Sequence, residues 1–228
     1  MELVMNFIGF DQRDKALAIS VSLLLMTVLG IFAFGIAMPS FNQLMSTNDL
    51  RSLMVEEGGT FKVMLVLISM VIVLDLMVSG FIADYFKTVN KKLAYYSGLF
   101  RLLYTIVLGI ALCFLISYFF QSETHAADFW INMKRFHWVW NLGLGFLFGP
   151  HLILTALLMR AYKIVPFGVW GLTALAGCSY VLVHILKILV PTWPLLETVE
   201  MILMIPMALG ELLIAIWFLV KVLTKAQL

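Results

Sequence analysis

The chain has 228 residues, 63% of them hydrophobic and 12% charged, with a formal net charge of +2 and a mean hydropathy of +1.03. So apolar a composition excludes a soluble globular domain, and positive charges that scatter along the chain instead of forming a patch exclude a nucleic-acid partner. Lipid is the expected solvent, and the length accommodates about six spans of roughly 20 residues joined by short loops.

The first apolar run covers residues 16–38, behind Arg13 and Lys15. It is longer than the apolar region of a cleaved signal peptide, so a retained helix is expected, ended by Pro39. Segment 39–61 carries Asn48, Asp49, Arg51, Glu56 and Glu57 and reads as an external loop containing a short amphipathic helix. Lys62 opens a second span, 62–86, and the basic loop Lys87 to Lys92 separates it from a third, 93–120. Residues 121–138 read as a second external loop, where His125 and His137 are expected in a solvated setting. Phe136, Trp138 and Trp140 look like an interfacial aromatic belt at the entry to span four, 139–159. A turn around Pro166 and Gly168 leads to span five, 169–190, and Pro191 to Pro194 turns the chain into span six, 195–223. The expected fold class is therefore all-α, a bundle of six transmembrane helices forming a single domain over residues 1–228.

Orientation follows from the cations. With the amino terminus inside, Arg13, Lys15, Lys87, Lys91, Lys92, Arg160, Lys163, Lys221 and Lys225 face the cytoplasm, against Arg51, Lys62, Lys134, Arg135 and Lys187 outside. That bias predicts both termini cytoplasmic. Cys113 and Cys178 lie in apolar stretches and read as small hydrophobes without a disulfide. No convincing internal repeat is present, which weakens an inverted-repeat transporter.

Four ionisable side chains fall deep within the spans: Asp75, Arg101, His151 and Glu211. Each costs roughly 2.5–3.5 kcal/mol at a helix centre on insertion scales, so they require mutual compensation or a function. Counted along the helices, Asp75, His151 and Glu211 lie near the midplane and Arg101 slightly nearer the cytoplasm. Helical phase aligns Asp75 with Ser79, Arg101 with Tyr104 and Thr105, and His151 with Thr155. Span five carries Thr173, Tyr180, His184 and Lys187 on one stripe. Tyr180 and His184 join the candidate ligand-binding or proton-relay set, although Lys187 toward the outside is equally suited to snorkelling or to pairing with Glu197 or Glu200. Pro150 and Pro206 each free a backbone carbonyl near residues 146 and 202, suited to a ligand or to a simple kink. Gly145 and Gly149 form a small-xxx-small pair for close helix packing.

Three functions fit this constellation. Binding or proton-linked transport of a small molecule or ion uses Asp75, Glu211 and His151 as they stand, with Arg101 as fixed positive charge and Glu211 and His151 as the titrating pair. A non-catalytic scaffold or accessory subunit uses the same charges to fix helix registry. A metal enzyme needs ligands that two mid-membrane histidines on separate helices plus carboxylates only just supply, and a haem could use His137 or His151, on one helix, with only His184 opposite, so no metal ligand, cofactor or catalytic residue is assigned. No G-x-S-x-G, phosphate-binding glycine loop or H-E-x-x-H motif occurs.

The stretches FIADYFKTVNKKLAYYSGLFRLLYTIVLG, FGPHLILTALLMRAYKIVPFGVWGLTALAGCSYVL and LGELLIAIWFLVKV, together with Asp75, resemble a family of bacterial multi-pass proteins catalogued as domain of unknown function 4386. The positions that carry the resemblance are Asp75, Asn90, Arg101, His151, Arg160, Pro166, Gly168, Gly177, Tyr180, Glu211, Trp217 and Lys221. A glycine usual in the turn after Met159 is Ala161 here. The resemblance implies about six helices in a bacterial cytoplasmic (inner) membrane, and implies no activity.

Overall fold

A computed structural model of the chain describes residues 9–39, 41, 50–117 and 126–224. Among these, six helices are long and apolar enough to cross a membrane: α1 (Gln12–Ala37), α2 (Gly58–Phe86), α3 (Lys91–Ile116), α4 (Asp128–Ala161), α5 (Phe167–Leu189) and α6 (Leu196–Leu223). The described residues form no strand, so the structure is the all-α, six-span bundle that the hydropathy pattern predicts. Each helix packs on the next in sequence, and α1 also packs on α6, so the six close into a ring.

Local chemistry sets the ends. Asp11 caps α1, its Oδ1 accepting the Asp14 N–H at 2.7 Å, and Asn90 caps α3 by accepting from Leu93 at 3.0 Å. Lys163 adopts φ 60° in the turn between α4 and α5, and Pro166 precedes the first residue of α5.

Two helices begin earlier than the polar sequence suggests. The helix containing α2 starts at Leu50, and that containing α4 starts at Ala126, so residues 50–61 and 126–138 of the expected external loops are helical. Residues 42–49, 118–125 and 225–228, with His125 and Lys225 among them, lie outside the described residues. For the helix starting at Ala126 the reason is amphipathicity: Phe129, Trp130, Met133 and Phe136 recur on one helical face and are buried, while Asp128, Lys134 and Arg135 are exposed. Phe61 stacks edge-on against both Phe41 and Phe129, so an aromatic cap closes this end. The expected interfacial belt is accordingly divided, with Phe136 buried, Trp138 exposed, and Trp140 turned inward to donate to Tyr104 Oη at 3.2 Å.

Close approach between helices depends on small residues. A Cβ on Gly177 would lie 2.8 Å from the Gly149 carbonyl oxygen, and one on Gly145 would lie 2.7 Å from His184 Cβ. The Gly145/Gly149 pair thus brings α4 against α5 as its spacing predicts. Gly98 does the same between α3 and α2, where an added Cβ would meet Ala83 Cβ and the Ser79 carbonyl at 2.7 Å. Pro150 has no N–H for the carbonyl of residue 146, and the chain there widens into a π turn, Leu144–Phe148, in which the Gly149 N–H bonds back to the Leu144 carbonyl. A second π segment, Ile31–Ala37, ends α1.

Candidate functional site

The ring brings the heads of Asp75 (α2), Arg101 (α3), His151 (α4) and Glu211 (α6) together, with Arg101 at the hub. Arg101 Nε and Nη2 both reach Asp75 Oδ1 at 2.6 Å, Nη2 reaches Glu211 Oε1 at 2.7 Å, and Nη1 lies 3.1 Å from His151 Nε2. One guanidinium therefore ties three other helices to α3, a geometry that its planar fork permits and a lysine's point charge does not. Asp75 Oδ2 accepts the Thr105 hydroxyl at 2.5 Å, and Thr105 in turn lies one helical turn beyond Arg101. Phe148, on the π turn, places its ring 5.5 Å from the Arg101 guanidinium carbon.

The state of His151 follows from its neighbours. Arginine nitrogens only donate, so Nε2 accepts from Arg101 and the ring proton sits on Nδ1. Nδ1 then donates to the Ser97 carbonyl at 2.9 Å, with Ser97 Oγ at 3.1 Å and the Thr155 hydroxyl 2.8 Å beyond it. The imidazole is held as a neutral acceptor, and adding a proton at Nε2 would break its bond to Arg101. Two carboxylates and one guanidinium then sum to one excess negative charge when both acids are ionised.

The members differ in access. The Arg101 and Asp75 side chains are 0% exposed, whereas the Glu211 side chain is 24% exposed. Glu211 Oε1 is engaged by Arg101, and no described residue donates to Oε2. Glu211 is thus the edge of the network and the one acid with an uncommitted oxygen.

Of the other predicted residues, Tyr180 packs edge-on against Phe148 at 5.0 Å and so borders the site. His184 stacks on Tyr180 at 5.9 Å and bonds through Nδ1 to the Tyr180 carbonyl, one turn further out, with no contact to the four charged heads. Glu200, in phase with Glu211, is instead paired with Lys187 at 2.5 Å. Ser79 donates to the Leu76 carbonyl rather than to the network. Thr105, which helical phase aligns with Arg101, reaches Asp75, whereas Ser97 and Phe148 complete the site without having been singled out from the sequence, although Ser97 lies four residues from Arg101 and shares its face.

Among the described residues no group of three His, Cys, Asp or Glu side chains is placed to hold a metal ion. Cys113 and Cys178 are free thiols at the surface of α3 and α5. An open apolar groove of about 660 Å³ runs between Leu25 and Leu29 of α1 and Leu65, Val66, Met70 and Val73 of α2, away from the charged heads.

Six apolar helices arranged in a ring, with an ionic network in the interior, define a multi-pass integral membrane protein in contact with the lipid bilayer. The family model Domain of unknown function (DUF4386) matches residues 18–221, and the chain belongs to that family. No curated protein and no solved structure matches it.

Proposed function

We propose that the protein is a proton-linked binding or transport protein for a small molecule or ion, with Glu211 as the group that exchanges its proton. The carrying observation is the excess negative charge of the Asp75–Arg101–Glu211 cluster together with the partly exposed Glu211 side chain and its uncommitted Oε2. An interior held at one net negative charge is costly in lipid, so occupancy by a proton or by a cationic group at Glu211 is favoured. Asp75, bonded to Arg101 and Thr105 through its two oxygens, holds the guanidinium in place. His151 orients Arg101 and does not itself carry the exchanged proton. The cation bias of the chain supports placing the end of the bundle that carries Lys15, Lys87 and Lys221 at the cytoplasm of a bacterial inner membrane, with both termini there.

The reading requires an aqueous path to Glu211 from one face. Glu211→Cys, in a chain with Cys113→Ser and Cys178→Ser, is expected to react with a membrane-impermeant thiol reagent from one side of sealed vesicles only. A thiol inert from both sides contradicts the proposal.

A second reading, a scaffold in which the network serves registry, draws support from the saturation of the inner members: Arg101, Asp75, Ser97, Thr105, His151 and Thr155 are all buried and all bonded. It assigns no role to the free oxygen of Glu211.

A further inference from the structure

At the end of the bundle that holds the start of α1 and the ends of α2 and α6, a second polar assembly stands apart from the ring's central network. Lys221 of α6 is 5% exposed. Its ammonium donates to Tyr162 Oη at 2.6 Å and to Tyr85 Oη at 2.9 Å. It also lies over three rings, with centroids at 4.2 Å for Tyr162, 5.4 Å for Trp217 and 5.6 Å for Tyr85. No carboxylate among the described residues pairs with it.

The neighbouring residue on α2, Asp84, is buried and already shared by two lysines: Lys15 of α1 at 2.6 Å and Lys87 in the turn after α2. Three ammonium groups anchored on consecutive residues, Asp84 and Tyr85, are thus matched by one carboxylate. The assembly carries an excess of two positive charges. Phenol oxygens and aromatic faces stabilise an ammonium without cancelling its charge. Lys221 uses two of its three N–H groups on the phenols, and Lys87, 34% exposed, keeps donors toward the surface.

We infer that this end of the bundle binds the phosphate of an anionic phospholipid headgroup, with Lys221 and Lys87 as the cations and Tyr162 as a hydroxyl donor. The chemistry that fits is a compact oxyanion approaching from the membrane–water interface, the depth at which α1 begins and α2 and α6 end. In a bilayer the phosphates of acidic lipids occupy that depth, and a positively charged cluster there selects them over zwitterionic ones. The inference is independent of proton exchange at Glu211.

The test uses the full chain purified in detergent, with thermal unfolding followed while phosphatidylglycerol, phosphatidylcholine or inorganic phosphate is added. Phosphatidylglycerol is expected to raise the midpoint by roughly 5 °C at saturation, and phosphatidylcholine to leave it unchanged. Lys221→Met is expected to weaken the phosphatidylglycerol effect at least ~10-fold. Should that variant fail to fold, Tyr162→Phe, which keeps the ring and removes the hydroxyl, and Lys87→Gln are each expected to weaken it in part. Equal effects of the two lipids, or an undiminished preference in all the folded variants, would overturn the inference. Inorganic phosphate acting as strongly as phosphatidylglycerol at equal concentration would overturn the lipid as the source of the anion.

Discussion

Arg101 and Glu211, 110 residues apart in the chain, meet at 2.7 Å, and the fully buried cation thereby touches the one acid of the network that is also open to its surroundings. The pair links a rigid interior, Asp75–Arg101–His151, to an edge where protonation can change without dismantling the ring. Glu211→Gln keeps an oxygen for Arg101 and removes the exchangeable charge. It is expected to leave thermal unfolding within about 1 kcal/mol of the wild type while abolishing any ligand uptake coupled to protons. A normal proton-coupled uptake in that variant would exclude Glu211 as the exchanging group.

Arg101 should be the most sensitive position for stability. Arg101→Met leaves Asp75 without its counter-charge and is expected to cost about 3–5 kcal/mol in denaturant unfolding in micelles. Arg101→Lys is expected to recover little of this, since an ammonium cannot reach Asp75, His151 and Glu211 in one plane. The double change Asp75→Asn with Arg101→Gln removes both charges and should cost less than Arg101→Met alone. If that double variant also retains full cellular function, registry suffices and the scaffold reading stands.

Helix contact through glycine makes a steric prediction. Gly177→Val and Gly149→Leu each force α4 and α5 apart, because even an added Cβ would lie within 3.0 Å of the opposing backbone. Overpacking of this kind costs about 1–3 kcal/mol. Gly168, with open space at its Cβ, is the control, and Gly168→Ala should unfold at an unchanged midpoint.

Tyr162 provides a pH signature. Burial pushes its phenol upward, but the Lys221 and Tyr85 hydrogen bonds and the Lys221 charge outweigh that and hold it below the usual tyrosine value. A group whose folded value is depressed adds stability that is lost as pH falls through the folded value and is complete above the unfolded one, about 10. The gain therefore appears on the alkaline side. Tyrosinate absorbance should show one phenol ionising ahead of the rest, absent in Tyr162→Phe and delayed in Lys221→Met.

The spans were legible in the sequence because runs of apolar residues broken by Pro39, Pro166 and Pro191 leave little freedom in lipid. The helix from Leu50 was foreseen only as a short amphipathic one inside a loop, and the early start at Ala126 was not, since Lys134 and Arg135 lower the mean hydropathy while Phe129, Trp130, Met133 and Phe136 pack underneath. For the site, the insertion cost of a charge pointed to Asp75, Arg101, His151 and Glu211 without any motif. Pairing was less accessible. Helical phase gave Ser79 and Thr105 equal standing beside the charges, but only Thr105 reaches Asp75, because hydroxyls on a shared stripe also bond to their own backbone. His184 shared a stripe with Tyr180 yet sits a turn beyond the charged heads. Lys221 read as one more cation of the cytoplasmic flank, because nothing in its sequence neighbourhood announces Tyr85 and Tyr162, brought to it from α2 and from the turn after α4.

The central claim, that the interior cluster carries one exchangeable proton on Glu211, is tested most directly by infrared difference spectroscopy of the full chain in lipid vesicles as the external pH is varied. A single protonated-carboxyl band that appears on acidification, is absent from Glu211→Gln and persists in Asp75→Glu is the predicted result. A spectrum in which no carboxyl changes its protonation, or in which the band survives in Glu211→Gln, would contradict it.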